Sequence, residues 1–246
     1  MGRLFLVMLG IITCLVGCGY KYKYNDNMDL IADKIRLDPH NQVAWVELEE
    51  YTRSSYYWNR HSAYTHFMRL SMDGLIKHYP HTTSVYERGL KDKDTRIQKI
   101  CVKTLPHISS TAVDQFHLQV INILKREKEN SLSWSSAGIL GVAKDIKNFE
   151  RILDALFLEM SKPLPADTQV EWPQTRVVAL ESAESIARLN LDNKVISKFE
   201  TLSQSLSGNS PADYDFKKRL NQTIETLKSE YLNKGKRTQP TIKKAA

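Results

Sequence analysis

The chain has 246 residues, 41% hydrophobic and 26% charged, a balance that excludes wholesale disorder. Three cysteines exclude a disulfide-stapled scaffold. The formal charge of +7 is concentrated in two places, Arg3 and the acid-free stretch 233–246 with Lys234, Lys236, Arg237, Lys243 and Lys244. The remainder is close to neutral, which is not the charge of a groove that tracks a phosphate backbone, so no nucleic-acid partner is expected.

The first predicted element is an address. Arg3 is a minimal positive start, and Leu4 to Leu15 is an apolar run of twelve residues without a charge. Spanning a hydrocarbon core takes about 20 residues, so the run fits a secretory signal instead. N-myristoylation does not fit, because Leu6 stands where Ser or Thr is needed. Directly behind the run comes Leu15-Val16-Gly17-Cys18.

These four residues resemble the lipobox of bacterial lipoprotein signal peptides: an aliphatic residue, a small or β-branched one, Gly, then the modified Cys. The resemblance implies diacylglyceryl transfer to the Cys18 thiol and cleavage after Gly17, so that residues 1–17 are the signal peptide. It also implies a partner, the lipid bilayer, reached through acylated Cys18. Each buried methylene contributes about 0.8 kcal/mol, so two or more acyl chains give a stable anchor. In two-membrane bacteria an Asp after the Cys retains a lipoprotein in the inner membrane. Here the residue is Gly19, which implies the outer membrane, facing the periplasm.

Residues 18–27 read as a polar, tyrosine-rich tether. Everything after them has helical period, without strict alternation or a hairpin signal, so the expected fold is all-α. Residues 28–82 are expected to form an N-terminal helical pair. LDPHNQVAWVELEEY, 37–51, is similar to the opening of a tetratricopeptide helix, and a second helix is predicted over 59–79. The pair reads either as a cap on the array that follows or as a separate tetratricopeptide-like module. Its aromatic cluster, Tyr51, Tyr56, Tyr57, Trp58, Tyr64 and Phe67, could close a core or recognise a partner.

Residues 83–232 carry apolar stripes stepping by three and four. Ile97, Ile100/Cys101, Leu105 and Ile108 form one, and Val113, Phe116, Val120 and Leu124 another. The stripes at 149–160, 195–206 and 216–231 repeat the pattern, with proline and glycine breakers between helices. Lys91 to Asp94 predicts a turn whose Asp94 caps the helix that follows.

The stretches LKDKDTRIQKICVKTLPHI (90–108) and PQTRVVALESAESIARL (173–189) resemble HEAT repeats, with Arg96 and Arg176 in matching places. Arg96 to Arg176 is 80 residues, two steps of 40, and Arg176 to Arg219 is 43. HEAT and armadillo repeats run about 40–47 residues. The resemblance implies an α-solenoid of antiparallel helix pairs over 83–232. Residues 233–246 are expected to be a basic, disordered tail, either merely solvated or binding an anionic surface.

The search for chemistry yields no catalytic, metal or cofactor site. His61 and His66 are five apart and point about 140° apart on a helix, while Pro80 separates His78 from His81. Gly138 and Gly141 read as helix-packing glycines and Cys101 as a small core hydrophobe. Glu181 and Glu184 read as a solvated face. Trp172, in a predicted loop over 161–174, joins Tyr56, Tyr57 and Trp58 as a candidate partner contact. The expected function is a non-enzymatic protein-binding scaffold anchored at the cell envelope, without a small-molecule substrate. The alternatives are a pilotin-like or chaperone-like assembly factor for an outer-membrane complex, and a regulatory subunit of an envelope enzyme.

Overall fold

The computed structural model describes residues 26–126, 130–162, 172–206 and 210–237; Cys18 and the signal-like segment lie outside them. Among the described residues there are eleven α-helices and no strand. No helix among them is long and apolar enough to cross a membrane. The chain divides into two units, residues 1–66 and 67–246, with the boundary inside the third helix.

The first unit holds α1 (Asp26–Leu37), α2 (Gln42–Thr52) and α3 (Tyr57–Met72) up to His66. Three helices therefore stand where the sequence suggests two. The added one, α1, buries Met28, Ile31 and Ile35 at helical spacing and packs on α2. α2 starts where Asn41 accepts a hydrogen bond from the Ala44 N–H at 3.1 Å. Its Trp45 is fully buried, and the indole N–H donates to the Pro39 carbonyl at 2.9 Å. Tyr64 is fully buried as well.

The predicted helix over 59–79 stops at Met72. Gly74 takes φ +70°, and the Gly74 and Leu75 N–H groups donate back to the carbonyls of Ser71 and Leu70. This is a left-handed helix stop that a side chain would strain, followed by a short 3-10 turn at Ile76–His78.

The second unit continues with α4 (Thr82–Leu90), α5 (Thr95–Ile108), α6 (Ala112–Arg126) and α7 (Asn130–Leu140). α8 (Phe149–Ser161), α9 (Trp172–Ala187), α10 (Asn193–Ser205) and α11 (Pro211–Arg237) complete it. The predicted stripes are the buried faces: Ile97, Cys101 and Leu105 on α5, for example, and Phe216, Leu220 and Leu227 on α11. Aspartates start two of these helices. Asp94 accepts from the Arg96 N–H at 2.9 Å and Asp192 from the Val195 N–H at 2.8 Å. Asp114 on α6 instead accepts from the Lys144 and Asp145 N–H groups, pinning the turn after α7.

Each helix packs on the next within a pair: α4 on α5, α6 on α7, α8 on α9 and α10 on α11. The second helices also pack on one another in order, α5 on α7, α7 on α9 and α9 on α11. The first helices do so through α4 on α6 and α6 on α8. α11 extends to Arg237, so residues 233–237, assigned by sequence to the tail, continue the helix. Three of these five are Lys or Arg, good helix formers, against Asn233 and Gly235.

Candidate functional site

Three local features bring α7, α9 and α11 together on one side of the second unit. The first is a close approach. A Cβ on Gly141 would lie 2.7 Å from the Ser182 Cβ, so only glycine lets the end of α7 meet α9 there. Gly138, one turn earlier, faces Val178 at 3.4 Å from where its Cβ would be. Ser185 then donates its hydroxyl to the Gly141 carbonyl at 2.9 Å. These are the packing glycines that the sequence suggests.

The second feature is Arg176, whose side chain is 5% exposed. It bonds the Asp213 carboxylate at 2.6 Å, donates to the Lys162 carbonyl, and lies over the Phe216 ring, 5.5 Å from its centroid. One guanidinium thereby ties the end of α8 and the body of α9 to the first turn of α11. The third feature is an ion-pair cluster further along. Arg188 bonds Glu230 at 3.0 Å and Glu184 at 2.6 Å, and the Thr223 hydroxyl donates to Glu184. Glu230 first, then Glu184, hold the Arg188 guanidinium more firmly protonated than usual. Glu184 is thus a paired, half-buried acid, whereas its neighbour Glu181 is exposed.

Between these contacts lies a groove of about 620 Å³. α7 contributes Trp134, α9 contributes Val177, Val178 and Glu181, and α11 contributes Asp215, Phe216 and Arg219. Trp134 is 46% exposed although it stands in a helix of small residues. Its position explains this: the buried stripe of α7 runs through Leu132, Ser136 and Leu140, and Trp134 falls on the opposite side. That offset is legible in SLSWSSAGIL, and it is the signal that the sequence reading passed over.

The groove's charged side chains differ from those around it. Glu181, Asp215 and Arg219 form no ion pair or hydrogen bond among the described residues. A second groove, between α8 and α10, is lined by charges already spent on each other: Lys194 with Glu150 at 3.2 Å and Lys198 with Asp154 at 2.6 Å.

The residues singled out by sequence fall elsewhere. Tyr56 and Trp58 sit at the start of α3 in the first unit, 56% and 39% exposed. The Tyr57 ring packs edge-on against Trp58, with centroids 4.7 Å apart, and tilts against His61. The aromatic cluster is therefore split: Tyr64 and Phe67 are core, and Tyr56 and Trp58 are surface. Trp172 does not lie in a loop but opens α9, and its side chain is outside the described residues. His66 is buried, with its Nε2 3.4 Å from Asp29. His117 is buried, with its Nδ1 2.7 Å from the Asp114 carbonyl. Among the described residues no three His, Cys, Asp or Glu side chains come together as a metal site. Cys101 is fully buried; burial, and then the nearby Asp92 charge, push its thiol well above the ordinary value, so it stays protonated.

No protein-family model matches the chain, and no curated protein matches it.

Proposed function

We propose that the protein is an acylated lipoprotein of the bacterial cell envelope that serves as a non-enzymatic protein-binding scaffold. The anchoring half of this reading rests on Leu15-Val16-Gly17-Cys18 behind its apolar run. The scaffold half is carried by one observation, the succession of helix pairs whose second helices pack in order, α5 on α7 on α9 on α11. That succession supports a HEAT-like α-solenoid, in which each pair buries its apolar face on its neighbours and one row of helices stays available to a partner. The groove on that row is walled by Trp134, Val177, Val178 and Phe216, with Glu181, Asp215 and Arg219 as its charged side chains. An apolar wall with a few charged side chains suits recognition better than proton or acyl transfer.

The test has two parts. Cell fractionation of wild type and Cys18→Ser reads the anchor: wild type is expected in the membrane fraction as a processed, lipid-labelled chain, and Cys18→Ser as an unlabelled one. Affinity capture from detergent-solubilised membranes reads the scaffold, with a stoichiometric envelope protein as the expected result. Lipid labelling that survives Cys18→Ser would remove the anchor, and capture without any stoichiometric protein would remove the scaffold.

A further inference from the structure

We propose that the groove formed by Trp134, α9 and the start of α11 is the docking site for an extended segment of a partner protein, one that presents an apolar side chain beside a lysine or arginine. This deepens the scaffold reading and rests on it.

The occupant's apolar part follows from the walls. Trp134 presents almost half its surface, and its indole N–H donates to no acceptor among the described residues. Trp45 shows the alternative within the same chain: fully buried, with its N–H bonded to Pro39. An exposed tryptophan that lines one groove with Val178 and buried Phe216 has the composition of an interface anchor, because tryptophan leads the residues that dominate binding energy. The groove also falls within the volume range of about 300–1,000 Å³ typical of ligand sites.

The occupant's charge follows from the rim. Glu181 comes from α9 and Asp215 from α11, so acids stand on both of these helices, and neither is paired with a base among the described residues. Nearby exposed acids on the same helices are paired, Glu230 with Arg188 and Glu225 with Lys228. A cationic side chain entering the groove would meet two unpaired carboxylates and the face of Trp134, to which cations are attracted in their own right. Arg219 adds a place for a carboxylate on the same segment. With two acids against one base, the rim repels the phosphates of nucleic acid and of anionic lipid.

Selection of randomised twelve-residue peptides on the full, detergent-solubilised protein tests this. Enriched peptides should place an apolar residue within two positions of Lys or Arg. Their affinity should fall at least tenfold for Trp134→Ala and should be unchanged for Arg96→Ala, an exposed site outside the groove. The double variant Glu181→Lys/Asp215→Lys should lose these peptides and enrich acidic ones. Matching thermal unfolding of all variants guards against misfolding. Selected peptides without basic residues, or binding indifferent to all three groove substitutions, would overturn the proposal. So would a dimer in sedimentation that Trp134→Ala disperses, since the groove's occupant would then be a second copy. If Trp134→Ala still captures the envelope partner stoichiometrically, the groove proposal falls while the scaffold reading stands. If wild type captures none, the scaffold reading falls, and the groove proposal, which rests on it, falls with it.

Discussion

Arg96 on α5 and Arg176 on α9 lie in stretches whose sequences look alike, and the protein uses them in opposite ways. Arg96 is on the surface and bonds its own helix cap, Asp94, at 3.2 Å. Arg176 is buried and joins α8, α9 and α11. The buried faces explain the difference. Matching the two arginines would set buried Cys101 opposite exposed Glu181. The faces coincide when the helices are slid two residues further: Ile97 with Ala179, Gln98 with Leu180, Cys101 with Ala183, Leu105 with Ala187. The place of Arg96 is then taken by Val178, in the groove wall, and that of the cap Asp94 by Arg176. Helix register follows the apolar face, because burial stabilises by several kcal/mol where an exposed charge contributes only tenths.

The comparison can be broken most strongly at Arg176. Arg176→Ala leaves the Asp213 carboxylate and the Lys162 carbonyl without their donor, and is expected to cost about 3 kcal/mol. For a chain of this size the melting temperature should drop by about 6–12 °C in calorimetry. Gly141→Ala drives a methyl group into Ser182 and should cost about 2 kcal/mol. The double variant Gly141→Ala/Ser182→Gly should recover only part of that loss, since it removes the Ser182 Cβ and Oγ but leaves the Cα, 2.8 Å from the added methyl position.

Cys101 sharpens the comparison through pH. Its thiol is raised in the folded chain, so the associated stability is complete below the unfolded thiol value and is lost as pH rises past it. Relative to Cys101→Ala, denaturant unfolding of wild type should lose about 1.4 kcal/mol per pH unit above about pH 8.5, until the folded thiol itself ionises. The smallest effects belong to the turn before α5. Asp94→Ala should cost about 1 kcal/mol through the lost cap, and Arg96→Ala less than about 0.5 kcal/mol, both read from urea midpoints.

Much of this was legible beforehand. The all-α class, the eight helices from Thr82 onward and the glycine contact of α7 all follow from period, breakers and small residues. The groove was less so. Its walls come from helices that begin more than 30 residues apart, and no local pattern says that Trp134, Val178 and Phe216 share a surface. The start of α3 shows the same boundary of inference. Adjacent aromatics in one run part company, because Tyr64 and Phe67 fall on the buried side of the helix and Trp58 on the other, while Tyr56 stands just ahead of it.

Local sequence determined what each segment becomes. Apolar residues three and four apart make helices, aspartates before them set starts, and Gly74 sets an end, since these are short-range balances of burial, capping and backbone freedom. Tertiary structure decided which arginine is buried, which tryptophan is exposed and which acids remain unpaired. Those outcomes depend on neighbours distant in the chain, and burying or freeing a polar group is settled only by what packs against it.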